Sequence, residues 1–153
     1  MSSHEETVAR LMTRNPKTIQ GHAPVMEAFD TMQEGHFRHL PVMDRGAVVG
    51  IVSDRDLVES MPPPSVGGSA VQQGRFAMQP VSNVMSYCVQ SVHVDSPASS
   101  AVAVMLSLGV GAVPVVDSAG ELVGIITLVD IARAFLKANP IQLTEEEPPR
   151  EAA

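Results

Sequence analysis

Two short segments of this chain place a hydroxyl and a carboxylate three residues apart, Ser53-x-x-Asp56 and Thr127-x-x-Asp130, each directly after an apolar β-type run. One chemistry for that spacing is local. A Ser or Thr at a helix N-cap accepts from the third helical amide, and a carboxylate three residues on reaches back to the cap amide, a capping box with Asp in place of Glu. The other chemistry is ligand binding. A helix N-terminus presents free amides and a partial positive charge that suit a phosphate, and an Asp can accept from two ribose hydroxyls. The two roles are compatible, and the pattern alone leaves both open.

Cations stand near the first of these segments. Arg38 and His39 precede Leu40-Pro41, and Arg55 lies between Ser53 and Asp56. They suit an anionic ligand, with solvated surface charge as the lesser alternative for Arg38 and Arg55. Arg45, in a turn, reads as surface. His36 and His39 have HxxH spacing, but neither a Cys nor an extra carboxylate accompanies them on a helix, so no metal site is expected. The chain contains no GxSxG, no glycine-rich phosphate loop of Walker or Rossmann type, no HExxH and no Cys–His pairing that spacing would support. An enzyme is therefore not expected.

The elements that position these residues emerge from an internal repeat. Met12-Thr13 matches Met85-Ser86, Thr18-Ile19 matches Ser91-Val92, and Leu40-Pro41-Val42 matches Val113-Pro114-Val115, all at a spacing of 73. After one inserted residue near Gly120, Gly50-Ile51-Val52-Ser53 matches Gly124-Ile125-Ile126-Thr127 at a spacing of 74. Within each copy, Val25, Ala28, Phe29 and Met32, and Ala98, Ala101, Val102 and Met105, follow the i, i+3, i+4, i+7 pattern of an amphipathic helix. Pro24 and Pro97 are expected in the first helical turn, Ser96 as an N-cap, and Gly35 and Gly109 as left-handed C-terminal residues.

Each helix is followed by two apolar runs around an Asp-to-Gly turn, His39 to Met43 with Ala47 to Val52, and Ala112 to Val116 with Leu122 to Ile126. These predict hairpins. A short β-stretch at Thr18 and Ser91 precedes each helix, and a second helix follows Ser53 and Thr127, the latter running to about Asn139 before Pro140. The fold class is thus α/β, two tandem β-α-β-β-α units whose helices cover at least one face of the sheet. Neither unit buries that face easily alone. Pro41 and Pro114 within strand patterns imply an edge position or a strand start.

The expected organisation is a first repeat at 8–60, a linker at 61–80, a second repeat at 81–139 and an acidic, mobile tail at 140–153. Within the linker, Arg75 to Met78 could pack locally. The composition, 44% apolar with no Trp and four Phe, describes a globular chain with an aliphatic core. The nine methionines read as adaptable core and interface filling. A net charge of −7 repels a phosphate backbone and argues against nucleic acid as main partner. Cys88 is the one thiol, read as inert, which rules out disulfide frameworks and Cys-based zinc and favours a reducing compartment. With no signal-type apolar stretch and no run near the ~18 apolar residues of a membrane span, a soluble cytoplasmic protein is expected.

The duplicated Pro-Val in the hairpin, Gly-Ile-Val/Ile-Ser/Thr and the trailing Asp together resemble a tandem pair of CBS domains, over about Val8 to Leu57 and Val81 to Phe135. The resemblance implies pseudo-twofold symmetry, sheets that meet, and two clefts for adenosine ligands such as AMP, ADP, ATP or S-adenosylmethionine. It also implies a stand-alone regulatory, energy-sensing module that homodimerises into a disc and signals to a separate effector protein. Asp56 and Asp130 would take ribose hydroxyls, and Ser53 and Thr127 the phosphate side. Adenine would lie near Phe37, Pro41, Val110 and Pro114, its edge read by backbone around Lys17 and Gln90. Arg38 and His39 match positions that contact phosphates in similar proteins, but their counterparts Gly111 and Ala112 cannot do so. Arg55 likewise has only Leu128 and Val129 opposite it in copy two. Two clefts of unequal affinity are expected. The alternative is a structural dimerisation or interaction module with no physiological nucleotide.

Overall fold

The computed structural model describes residues 5–63, 69–87 and 90–141. The reading of Cys88, the Gly67-Gly68 pair of the linker and the acidic tail from residue 142 onward lie outside the described residues.

Both hairpins form. In repeat one, β2 (Ile19–Gln20), α2 (Val25–Gly35), β3 (His39–Asp44), β4 (Ala47–Ser53) and α3 (Asp54–Ser60) follow in order. In repeat two the equivalents are β6 (Val92–His93), α5 (Ala98–Leu108), β7 (Ala112–Val116), β8 (Leu122–Thr127) and α6 (Leu128–Ala138). The first hairpin turns through Arg45 and Gly46, both at positive φ (49° and 80°), the backbone of a two-residue turn matched to strand twist. In the second, Asp117 Oδ1 accepts from the amides of Ala119 and Glu121.

The helix borders differ in detail from expectation. Pro24 and Pro97 are themselves the extended N-cap residues, one position before the helix, and Ser96 makes no cap. Gly109 is left-handed as expected, but in repeat one the left-handed residue is His36, with φ 55°. Gly35 instead ends α2 beneath the Phe37 ring, which lies where a Cβ would stand.

Short elements that carry no periodicity in the sequence complete the fold: α1 (Val8–Leu11), β1 (Thr13–Arg14), α4 (Ser69–Ala77), a 3₁₀ turn at Val81–Asn83 and β5 (Ser86–Tyr87). They exchange partners between repeats. The sheet of repeat two has the order β1-β8-β7-β6, and that of repeat one β2-β3-β4-β5, so each is completed by a strand from the segment leading into the other repeat. The backbone bonds of the exchange come in equivalent pairs. Val8 N–H donates to Ser96 O and Val81 N–H to Ala23 O, while Ala98 N–H donates to Glu6 O and Val25 N–H to Gln79 O. Val8 is buried in the core of repeat two and Val81 in that of repeat one. The segment read as linker therefore contains a helix, α4, whose Phe76 is buried in the core of repeat one. Met78, in the same stretch, is exposed.

Pro41 and Pro114 are fully buried in the interior strands β3 and β7, not in edge strands. The conflict is resolved by register. β2 first pairs at Val42 and β6 at Val115, so at each proline the strand has a ladder neighbour on one side only. Between the repeats, Ile51 of β4 meets Ala112 of β7 and Ile125 of β8 in a third buried cluster. Ile51 and Ile125 are equivalent positions of the two copies. No described helix is long and apolar enough to cross a membrane.

Candidate functional site

Both Ser/Thr-x-x-Asp segments form capping boxes. Asp56 Oδ2 accepts from Ser53 N–H at 2.8 Å, and Asp56 N–H donates to Ser53 Oγ at 3.0 Å. In the second copy Asp130 Oδ2 accepts from the Thr127 amide and hydroxyl, both at 2.9 Å, and Asp130 N–H donates back to Thr127 Oγ1 at 3.2 Å. The local reading of the motif is therefore realised in both repeats, using one oxygen of each carboxylate.

The first box opens onto a cleft of about 670 Å³ built from both repeats. One wall is the end of β4 and the start of α3, carrying Ile51, Ser53, Asp54, Arg55, Asp56 and Glu59, with Arg38 and His39 at the start of β3 beside it. The opposite wall is repeat two, from Val104 and Leu108 on α5 through Gly109, Val110 and Gly111 into β7, and Ser86, Tyr87 and Gln90 complete the lining. Register explains the first wall. His39 pairs with Ser53 in the β3–β4 ladder, and Asp54 N–H donates to Arg38 O at 3.0 Å, so the hairpin's open end brings Arg38, His39 and the capping box together.

Of the residues singled out in the sequence, Arg38, His39, Ser53, Arg55, Asp56, Gln90 and Val110 line this one cleft. The others lie elsewhere. Lys17 is exposed ahead of β2, Phe37 packs on the core of repeat one, and Pro41 and Pro114 are buried within their sheets. Thr127 and Asp130 cap α6, where Asp130 borders a separate hollow of about 530 Å³ with Glu6, Arg10, Arg133 and Lys137. Asp54 and Glu59 were missed, although both belong to the same short helix as Asp56. Tyr87 could not be found from its own segment, because it reaches the cleft only through the exchanged strand β5.

The polar side of the cleft is nearly balanced in charge. Arg38 Nε stands 3.9 Å from Asp54 Oδ2, and Arg55 Nε donates to Glu59 Oε1 at 2.9 Å. All four side chains are more than half exposed, so such pairs contribute little stability and give way readily to a better anion. His39 is different. Its half-buried ring lies against the Gly111 backbone of the other repeat, 3.5 Å from where a Cβ would stand. Burial pushes its pKa below the ordinary histidine value; the carboxylates of Asp54 and Asp56 oppose that shift and Arg38 adds to it. His36, exposed at the C-cap of α2, does not line the cleft, and no described group of three His, Cys, Asp or Glu comes together. The arrangement offers an apolar slot, one carboxylate oxygen left over from capping, and cations at the rim.

Known proteins place these observations in a family context. The family model described as "CBS domain" matches twice, at residues 8–63 and 81–137. The chain is 29% identical over 136 residues to an uncharacterized 17.7 kDa protein of Acidianus ambivalens, covering 88% of this chain and 76% of that one. It is 35% identical over 143 residues to the uncharacterized protein MJ1404 of Methanocaldococcus jannaschii, covering 92% of this chain but only 30% of the relative's length. Among solved structures, the CBS domain pair of protein MJ0100, in complex with 5′-methylthioadenosine and S-adenosyl-L-methionine, superposes with a TM-score of 0.70 at 27% identity. That match covers 87% of this chain and 98% of the other. CBSX2 in complex with AMP gives 0.69 at 27% identity, with the same coverages.

Proposed function

The chain belongs to the CBS domain family as a tandem pair of its repeats, and on that premise we propose that it is a non-catalytic regulatory module whose cleft binds an adenosine ligand. The observation that carries this reading is the cleft itself, where the first Ser-x-x-Asp faces an apolar wall from the other repeat. Relatives of similar structure hold AMP, or 5′-methylthioadenosine and S-adenosylmethionine. In the proposed complex, Asp56 accepts from the ribose hydroxyls, and Ser53, Arg38, His39 and Arg55 take the phosphate side. Adenine lies against Val110 with its edge toward the backbone at Gln90. Lys17, Phe37, Thr127 and Asp130 belong to the equivalent region of the other half, with Pro41 and Pro114 behind the two hairpins. That half lacks cations at Gly111 and Ala112 and takes ligand more weakly.

The ligand set is AMP, ADP, ATP and S-adenosylmethionine, and the output passes to a separate effector protein through a homodimer. The lone Cys88 suits a reducing, cytoplasmic setting. A melting-temperature panel with these four ligands tests the reading. At a hundred times its dissociation constant, a true ligand stabilises the fold by about 2.7 kcal/mol. No shift with any of the four would sink the proposal. Calorimetry then ranks the halves: Asp56→Ala or Arg38→Ala weakens binding more than Asp130→Ala, and the reverse order rejects the assignment. Pull-down with and without nucleotide tests for the effector.

A second reading, a structural pairing module with no physiological nucleotide, has one observation in its favour: both Asp residues are already employed in capping boxes. The same panel separates it from the first.

A further inference from the structure

His39 lines the cleft, its ring makes no hydrogen bond among the described residues, and burial lowers its pKa. Its position is constrained from both repeats. The backbone at His39 is held in the β3–β4 ladder opposite Ser53, and the ring faces Gly111 across the cleft, its Nε2 3.5 Å from where a Cβ on that glycine would stand. Its equivalent in repeat two is Ala112, so this group occurs once per chain. The ring is half-buried yet borders the open space of the cleft. The charged and titratable groups of the same cavity are Arg38 beside it, Asp54, Arg55, Asp56 and Glu59 on the β4–α3 wall, and Tyr87 on β5. The α5–β7 wall adds none. Asp54 is shared with Arg38 and Asp56 is held in its capping box, so neither carboxylate is committed to the imidazole.

Resting on the adenosine-ligand reading above, we propose that His39 binds the ligand's phosphate as an imidazolium formed on binding, so that phosphorylated adenosine ligands enter with uptake of one proton and unphosphorylated ones do not. The physics is a competition between desolvation and a charge partner. In the free protein, burial disfavours the charged ring. A phosphate dianion beside the ring supplies a strong acceptor and an opposite charge, which favours the imidazolium. Adenosine itself brings neither. Because the phosphate of such a ligand loses its second proton near pH 6, the ligand is already a dianion above pH 7, and a proton taken up there belongs to the protein.

The test is calorimetric titration of the full chain with AMP and with adenosine between pH 7 and 8.5, each in two buffers of different ionisation enthalpy. Expected for AMP are net proton uptake and a Kd that tightens as pH falls, by up to about tenfold per pH unit when one proton is taken up. Adenosine should show neither effect. In His39→Gln, AMP binding should weaken, and the binding that remains should lack both the pH dependence and the proton uptake. Imidazole resonances of the unaltered chain, followed with and without AMP, provide a readout that does not depend on the variant folding. One histidine should titrate at higher pH with AMP bound. AMP binding with a flat Kd, or with an unchanged slope in His39→Gln, overturns this inference while leaving the adenosine reading intact. Failure of AMP to bind at any pH overturns this inference, and the adenosine reading falls with it only if ADP, ATP and S-adenosylmethionine fail to bind as well.

Discussion

Asp56 caps α3 and is proposed to take the ligand's ribose, and substitutions can separate the two roles. Its Oδ2 holds the Ser53 amide, so Asp56→Ala removes the cap and the proposed ribose acceptor together. Ser53→Ala removes the acceptor for the Asp56 amide while leaving the Asp56 carboxylate in place, and is expected to lower stability by about 1 kcal/mol, read from denaturant midpoints. Asp56→Asn keeps a neutral oxygen for capping and removes the charge. If ligand affinity falls in Asp56→Asn while stability stays within about 0.5 kcal/mol, the carboxylate has a binding role beyond the cap. His39 adds a pH dependence to the free protein whose sign is fixed by burial. Its folded pKa lies below the unfolded value of 6.5, so the unfolded chain binds the extra proton first as pH falls. The free protein should therefore lose stability as pH drops through 6.5, the loss levelling off below the folded pKa. His39→Gln should lack that component, which thermal melts between pH 5 and 8 on both proteins check. Ser53, Asp56 and their copies were legible because a duplicated three-residue spacing is visible in one dimension. The setting of His39 was not, because the cleft it faces is closed by Gly111, 72 residues away in the other repeat.

At the scale of elements, the two glycines that open the repeated Gly-Ile-Val/Ile-Ser/Thr motif are explained by strand exchange. A Cβ on Gly50 would stand 2.6 Å from Ser86 O and 2.7 Å from Met85 Sδ; one on Gly124 would stand 2.5 Å from Met12 Sδ and 3.0 Å from Thr13 O. Each glycine thus lets a two-residue strand from the neighbouring segment lie close to the sheet. Gly50→Ala must displace the β5 backbone, with an expected cost of about 1–3 kcal/mol, and it moves Tyr87 in the cleft wall. Denaturant unfolding gives the cost. An unperturbed Tyr87 resonance in a fully stable variant would contradict the argument. Gly46, by contrast, faces open space in a turn. The hairpins and main helices were readable because period 2 and period 3.6 accumulate over five to eleven residues. A two-residue strand has no period to read, and α4 hides in a segment whose prolines and glycines signal a linker. Among the described residues of that segment only Phe76 is buried, and Phe76→Ala is expected to cost about 3 kcal/mol because it empties a place in the core of repeat one.

For the whole molecule, exchange makes the two repeats one cooperative object. Val81 fills the core of repeat one from beyond the linker, and Val8 fills the core of repeat two from the chain's beginning. Ile51, Ala112 and Ile125 close the space between the sheets. A fragment of residues 1–63 would lose Phe76, Val81 and β5 at once, three contributions to its own core and sheet. It would also leave Val8 and Met12 with no core to enter, since both are buried in repeat two. Large-to-small changes in a core cost about 2–5 kcal/mol each, so the combined loss is comparable to the 5–15 kcal/mol that holds a whole domain. The fragment should therefore be unfolded by far-UV circular dichroism. The full chain should unfold in a single denaturant transition, with amide resonances from both repeats disappearing at one midpoint. Ile125→Ala, placed in repeat two, should then lower the midpoint reported by residues of repeat one by the same amount as that reported by its own repeat. Separate midpoints, or a folded fragment, would show that the exchanged strands are dispensable and that a ligand bound in the cleft has no rigid body through which to act.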